Sequence, residues 1–304
     1  MSRLVICPKS MGSESAKELA KVFNTKKVFR NRRFMRRSSD LLINWGNASN
    51  IPVFGETYLN KAEAVAISSN KVATFDKLDE IGVNIPWYAT TQAQARDLFN
   101  QEGVEKVFCR TLTRASEGRG IVVANSPDEI VSAGLYTALE PHTHEYRVHV
   151  FDGRVIDVAE KRRMSESTLE EHGITEVNEL IRSHHNGWIF ARGNARLRHL
   201  DGVYKTPIAE EALIAIEAIG LDFGAVDVIY NNPTRQAFVL EVNSAPGMEA
   251  GSTTLFNYVN AFKVKHGLEP LTYAQFNAMY PDLEDISEYE LVTNFINAIE
   301  NGGN

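Results

Sequence analysis

The 304-residue sequence predicts an α+β protein folded in consecutive lobes. Three observations predict it. Strand-like apolar runs and amphipathic, helix-like stretches alternate along the whole chain. Two hairpin signals, Asp152-Gly153 and the polar run 231–234, join pairs of such runs in the second half. Hydrophobic residues make up 43% of the chain and charged residues 23%, which at this length supplies more than one core. The division expected is a small Rossmann-like N-terminal lobe over residues 1–66, a central lobe over 67–138, a larger C-terminal lobe on an antiparallel sheet over 139–260, and a helical tail over 261–304.

Leu4 to Cys7 has the composition of a strand, Ser13 to Phe23 that of the helix after it, and Leu41 to Trp45 that of a second strand. A helix over Lys71 to Ile81 stops at Gly82, a residue suited to the left-handed cap. Thr91 caps another helix that runs to Asn100. Strands are predicted at Val104 to Arg110 and at Gly120 to Ala124, joined by a polar loop with two glycines. Ser126, followed by Pro127, opens a further helix, so the central lobe is expected as α-β-β-α. The segment Glu145 to Phe151 turns at Asp152-Gly153 and returns through Arg154 to Arg163. This pairing sets Phe151 opposite Arg154 and Arg147 opposite Val158, with Arg162 on the side of Glu145 and Arg147. The polar stretch Ser165 to His199 has no period to assign. Thr206 and Pro207 open a helix to Ile219, and a second hairpin pairs residues 225–230 with 237–243. Beyond Ala261 one or two amphipathic helices are expected.

The net charge of −7 argues against a molecule built to bind polyanions. One basic cluster, Arg30, Arg32, Arg33, Arg36 and Arg37, is taken as a solvated patch ahead of a site for an anionic substrate or nucleic acid. The two cysteines, Cys7 and Cys109, stand in apolar runs as buried free thiols, so a disulfide framework is not expected and a reducing compartment is. The apolar run within Met1 to Ser10 is too short for a signal peptide, and nothing approaches the roughly 20 apolar residues of a membrane helix. A soluble, cytoplasmic protein without a membrane partner is expected.

The strongest chemical signal is the stretch Gly224 to Gly247, GAVDVIY…FVLEVNSAPG. Asp227 and Glu241 each interrupt a strand that is otherwise apolar, where a surface role is strained. A turn centred near residue 234 sets them opposite one another, with Cβ atoms about 4.5–5.5 Å apart. Two carboxylates that close repel unless a cation lies between them. Asn243, two residues beyond Glu241, adds a neutral oxygen on the same face. Hard oxygen ligands suit Mg²⁺. The competing account makes one acid salt-bridged and the other exposed, and calcium held without catalysis is a lesser alternative.

On these residues the chain resembles the ATP-grasp superfamily, in particular its RimK-type amino-acid ligases, with D-alanine–D-alanine ligase more distant. The resemblance runs in order over roughly residues 60 to 260. It implies an ATP-grasp fold in which ATP lies between two antiparallel sheets. It implies that Asp227, Glu241 and Asn243 hold two Mg²⁺ ions, or Mn²⁺, on the ATP phosphates. The loop Ser116 to Val123, SEGRGIVV, resembles the family's glycine-rich lid, with Ser116, Gly118 and Gly120 over the phosphates. Lys71 matches one phosphate-binding position and Arg110 another, where lysine is usual and the planar guanidinium is a departure. Residues 136–140, with Leu139, match the hinge whose backbone meets adenine, and Glu145 matches the acid that binds the ribose hydroxyls. By the same resemblance Arg162 is the first candidate for contacting the transferring phosphate and the tetrahedral intermediate, and Arg147 the second. Asn186, in SHHNG, resembles an asparagine lying beside that arginine. Residues 244–254 are expected to border the acceptor.

The activity implied is an ATP-dependent carboxylate–amine ligase. A carboxylate (an amino acid, a peptide or a protein C-terminus) attacks the γ-phosphate, giving an acyl phosphate and ADP, and an amine then displaces phosphate. No protein nucleophile is required. His142, His144, His184 and His185 lack the companions a zinc site needs. The alternatives are a small-molecule kinase of the same fold and a nucleotide- or metal-binding module without turnover. Nucleic acid is not an expected partner, and a homodimer is the commonest assembly for such proteins.

Overall fold

The computed structural model of the chain describes residues 3–28, 37–49, 58–113, 119–191 and 206–281. Strands β1 (Leu4–Pro8), β2 (Leu41–Trp45) and β3 (Tyr58–Leu59) form a parallel sheet in the order β1-β2-β3. Helix α1 (Glu14–Val22), capped by the Ser13 side chain, packs Leu19 and Ala20 against it. Arg37 alone of the arginine cluster falls within the described residues.

The second sheet has the order β4-β7-β5-β6, built from Tyr88–Ala89, Leu135–Ala138, Val107–Arg110 and Ile121–Ala124, every pair antiparallel. Helix α4 (Gln92–Asp97) packs Ala95 against it, whereas α2 (Ala62–Ser68) and α3 (Lys71–Ile81) bury Ala64, Val65 and Leu78 in the core that holds Tyr146, Val148 and Val226. Helix α3 ends at Gly82 with φ +82°, in the expected cap.

The central segment departs from its expected α-β-β-α order. The helix predicted from Ser126 is a single 3-10 turn, Pro127–Glu129. Glu129 turns back to accept the Asn125 N–H at 2.8 Å and its side-chain amide at 2.9 Å, and Ile130 is already extended. The buried run Leu135–Ala138 then forms strand β7 between β4 and β5, so the predicted hinge begins as a strand.

The third sheet is antiparallel in the order β10-β9-β8-β11-β12, from Trp188–Ala191, Arg154–Arg163, His144–Phe151, Phe223–Asn231 and Gln236–Asn243. The unassigned stretch supplies α5 (Glu166–Glu171), a 3-10 turn at His184–Asn186 and the edge strand β10. Helix α6 (Pro207–Ile219) covers one face, packing Ala212, Ala215 and Ile216 with Tyr146, Val148, Val158 and Val226. Helix α7 (Thr253–Lys265) joins Phe223, Phe151 and Trp45 in a second core, and α8 (Tyr273–Asn277) adds Phe276.

Two β-bulges decide which side chains share a face. In β8–β9, Phe151 lies opposite Arg154 as expected, but the register shifts between His149 and Val150, leaving Ile156 as the extra residue. Arg147 therefore lies opposite Ala159, not Val158. One inserted residue reverses the alternation beyond it, so Lys161 rather than Arg162 shares the face of Glu145 and Arg147. The bulge is tied down by Asn257, whose amide donates to the Ile156 carbonyl at 2.8 Å. In β11–β12 the shift between Asp227 and Val228 makes Leu240 the extra residue and puts Asp227 opposite Glu241, as predicted.

Asn60 joins the parallel sheet to the third sheet. It is wholly buried in the left-handed conformation, φ +60°. Its Oδ1 accepts from the N–H groups of Asp222 (2.8 Å) and Phe223 (3.1 Å), its Nδ2 donates to the Phe223 carbonyl at 3.0 Å, and its own carbonyl accepts from Asn44. Asn60→Ala is expected to destabilise the fold by about 3 kcal/mol in urea denaturation, through unpaired buried groups and a left-handed backbone. Asn60→Gly is expected to cost about 1 kcal/mol less, because only the backbone strain is relieved.

Candidate active site between two antiparallel sheets

A cavity of about 740 Å³ lies between the second and third sheets. Phe108, Arg110, Ile121 and Thr137 line it from one side, and Glu145, Arg147, His149, Lys161, Asp227, Ile229, Glu241 and Asn243 from the other. Glu14 and Ser15, at the start of α1, close one end together with residues 245–249. The third sheet turns its apolar face to α6 and its charged face to the cavity, by alternation interrupted at the two bulges.

Three cation–carboxylate pairs organise the charge. Arg147 binds Asp227 through two parallel bonds, Nε to Oδ1 at 2.7 Å and Nη2 to Oδ2 at 2.8 Å, from the residue directly opposite on β8. Lys71, at the first position of α3, reaches Glu241 Oε1 at 2.7 Å. Lys161 bonds Glu145. Phe190 of the edge strand lies under two of these cations, its ring centre 4.1 Å from the Arg147 guanidinium carbon and 5.0 Å from Lys161 Nζ.

The expectation of two unpaired, mutually repelling carboxylates is therefore corrected: each has its own cation. Burial pushes the Asp227 carboxyl up, but Arg147 outweighs it and holds the group below its ordinary value. Burial dominates at Glu145 and raises it despite Lys161. Arg110 has no carboxylate bonded to it among the described residues; its Nε donates to Thr137 Oγ1 at 3.4 Å. Burial lowers its pKa, and the nearby Glu241 opposes the shift.

Asp227 and Glu241 face one another in register and Asn243 follows on the same strand, all three on the cavity wall. The side-chain nitrogen of Asn243 is buried without a partner among the described residues. Gly224 permits this approach of β11 to β12, since a Cβ there would stand 2.8 Å from the Asn243 carbonyl oxygen. Among the described residues no group of three or more His, Cys, Asp and Glu could hold a metal. The donors fit a hard divalent cation that takes its remaining ligands from elsewhere.

The other predicted residues divide. Leu139 lines the cavity, its N–H donating to the Lys106 carbonyl at 2.9 Å. Gly120, at φ +74°, accepts from Thr111 N and Oγ1, both at 2.8 Å, in the turn before β6 and away from the cavity wall. Ser116 and Gly118 lie outside the described residues. Arg162 is on the opposite face, where its Nε donates to Glu160 at 2.7 Å beside His144, which bonds the same carboxylate at 2.9 Å. The reversed register is the reason. Asn186 does not line the cavity: its amide donates to the Ile181 carbonyl at 2.7 Å and closes a local turn. Lys161 and Phe190 were missed; a bulge hides the first, and the apolar run 188–191 is the one signal of the second.

No protein-family profile matches the chain, and no curated protein does. Solved structures do. D-alanine–D-alanine ligase from Bacillus anthracis is similar over 100% of both chains, with TM-score 0.57 and 13% identity. The ATP-grasp ligase PsnB, complexed with a phosphomimetic variant of its minimal precursor, Mg and ADP, is similar over 91% of this chain and 97% of its own, with TM-score 0.53 and 10% identity. Biotin carboxylase from Campylobacter jejuni, in a β,γ-ATP complex, is similar over 90% and 73%, with TM-score 0.57 and 13% identity. The chain has the ATP-grasp fold. Identities of this size establish the fold and leave the activity to the site. No helix among the described residues is long and apolar enough to cross a membrane.

Arg147→Met leaves a buried carboxylate unpaired and is expected to lower stability at pH 7 by about 3 kcal/mol. Adding Asp227→Asn is expected to restore most of the loss, as a double-mutant cycle would register. Asp227 titrates below its unfolded value of about 3.9. The pair's contribution is therefore present above that pH and lost as pH falls through the folded value, so the gap between wild type and Arg147→Met should narrow on acidification.

Proposed function

We propose that the protein is an ATP-dependent carboxylate–amine ligase of the RimK type, with ATP held between the second and third sheets. One observation carries the reading: two opposed carboxylates and the Asn243 side chain line a single cavity with Arg110, Arg147 and Lys161 between two antiparallel sheets, and Lys71 bonds Glu241 on its wall. Fold likeness to ligases supports it without choosing the substrate.

In this reading Asp227, Glu241 and Asn243 hold Mg²⁺, which, when bound, offsets the negative charge of the phosphates. Lys71 and Arg147 exchange their carboxylate partners for phosphate oxygens, and Arg110 supplies a cation that no carboxylate bonds beforehand. Lys161 takes the role that the sequence suggested for Arg162, because it stands beside Arg147 on the cavity face. Leu139 belongs to the wall around the base, and Glu145 is the acid for the ribose hydroxyls. The substrate carboxylate attacks the γ-phosphorus and ADP leaves. An amine then attacks the acyl carbon and phosphate leaves, the residues 245–254 bordering that step. Carboxylate and amine enter as an amino acid, a peptide or a protein C-terminus with its acceptor.

The test is ADP release with Mg²⁺ over a panel of amino acids, singly and in pairs, with hydroxylamine added to trap an acyl phosphate as a hydroxamate. Stimulation by a carboxylate with hydroxamate formation is expected. Stimulation by a hydroxyl compound alone, with no hydroxamate, would replace the ligase by a kinase. Asp227→Asn and Lys161→Met are each expected to lower kcat by roughly 100-fold or more, whereas Arg162→Met is expected to stay within about 3-fold of wild type.

A further inference from the structure

Two rows of residues cross the charged face of the third sheet. Arg147, Asp227 and Glu241 stand in one, on β8, β11 and β12, and His149, Ala225 and Asn243 stand in the next. His149 is buried and lines the cavity, two residues beyond Arg147 on the same face of β8. Two strand spacings separate it from Asn243, on the order of 10 Å, and Ala225 between them carries only a methyl group. The chemistry above uses the first row and leaves His149 without a role. On β9 its direct partner is Asp157, whose carboxylate accepts the Thr254 hydroxyl at 2.5 Å. Thr254 lines the cavity too, within the stretch that borders the acceptor, so His149 stands at that end. The Tyr258 oxygen of α7 lies 3.3 Å from His149 Nδ1, with the two rings edge to face. Burial, then Asp157, keeps the Tyr258 hydroxyl protonated against the opposing charge of Arg147, and its one proton goes to the Gly224 carbonyl at 2.9 Å. Toward Nδ1 the tyrosine oxygen therefore accepts, and Nε2 is the nitrogen that takes up a further proton. The charged and titratable groups around the ring, among the described residues, are Arg147 on β8, Asp157 on β9, Asp227 diagonally across on β11 and Tyr258 on α7.

An amine arrives at neutral pH as an ammonium ion, which has no lone pair, and must lose a proton before its nitrogen can attack. An imidazole titrates closer to neutral pH than a carboxylate and is the better acceptor for that proton. The carboxylates at this end, Glu14 and Glu249, are exposed, and Glu14 pairs with Lys17 at 3.1 Å. The other described imidazoles on the cavity wall, His142 and His184, lie toward Glu145: Arg182 acts electrostatically on both His142 and Glu145, and His184 follows it by two residues. We propose that His149 is the general base for the acceptor amine. Its Nε2 takes one proton from the ammonium, and the freed nitrogen attacks the acyl carbon. The bond from that carbon to the phosphate oxygen breaks, and the second proton leaves with the phosphate. The imidazolium then returns the first proton to solvent. Asp157, across the ladder, offsets the imidazolium charge, and Tyr258 holds the ring, so both are positioning residues. This rests on the ligase reading above and assigns the proton transfer of its second step.

The experiment gives the full chain ATP, Mg²⁺ and the carboxylate that releases ADP in the screen above, with ammonium chloride or hydroxylamine as the nucleophile. At pH 7 ammonia is mostly ammonium, whereas hydroxylamine is mostly free base and needs no proton acceptor to attack. His149→Gln is expected to lower kcat/KM for ammonium by roughly 100-fold at pH 7, and that for hydroxylamine by no more than about 3-fold. Between pH 7 and 8 the wild-type kcat/KM for ammonium is expected to stay level, while that of His149→Gln climbs roughly 10-fold as free ammonia appears. A wild-type value that climbs in the same way overturns the assignment and needs no variant to fold. Equal losses for the two nucleophiles in His149→Gln overturn it as well, since they mark a structural role, as does hydroxamate formation with no turnover of ammonium. In each of these cases wild-type hydroxamate leaves the ligase reading standing. No ADP release with any carboxylate and either nucleophile removes that reading, and the base with it.

Discussion

The two-pronged bond between Arg147 and Asp227 sits on neighbouring central strands of the five-stranded sheet, and the rest of the site is arranged around it. A carboxylate this deeply buried survives as an anion only with a cation in bonding geometry. Strands β8 and β11 supply that geometry because the two residues are direct partners across the ladder. With the pair in place, one face of the sheet is committed to charge and the other to the α6 core. Glu145 and Lys161 fall on the charged side, Tyr146, Val148 and Val158 on the apolar side.

The pairs also describe how a strongly charged cavity stays stable without ligands. Lys71 neutralises Glu241, Arg147 neutralises Asp227, and Lys161 neutralises Glu145. On the proposed reading, a divalent cation and an anionic nucleotide each replace one member of these pairs. The metal takes the carboxylates and the phosphates take the freed cations. Either ligand alone leaves charges exposed in a low-dielectric setting, and together they leave none. Cation and nucleotide thus favour one another by the same electrostatics that holds the ligand-free cavity together.

Backbone irregularities carry as much of the function as the side chains do. The Ile156 bulge, pinned by Asn257, decides that Lys161 faces the cavity and Arg162 faces Glu160. The Leu240 bulge brings Glu241 opposite Asp227 after a turn that would otherwise leave the pair out of register. Left-handed Asn60 ties the parallel sheet to the start of β11, and so fixes the wall contributed by α1 relative to the carboxylates. None of these devices leaves a mark in hydrophobic periodicity.

Local signals by themselves determined the helices over 14–22, 71–81 and 207–219 with their caps, both hairpins, and the two acids that interrupt the strands of the second hairpin, because capping, turn chemistry and alternation act within a few residues. They also singled out Arg147, Glu145 and Arg110, which line one cavity, and Lys71, which bonds Glu241 on its wall. Tertiary structure decided the rest. It made a strand of 135–138, since two neighbouring strands offered their edges to a buried apolar run, and it turned Arg162 and Asn186 away from the site. It brought in Lys161 and Phe190, which no motif had marked. Which face a residue takes beyond a bulge, and which polar atom is left without a partner, depend on contacts between segments far apart in the chain, and those exist only once the sheets have packed.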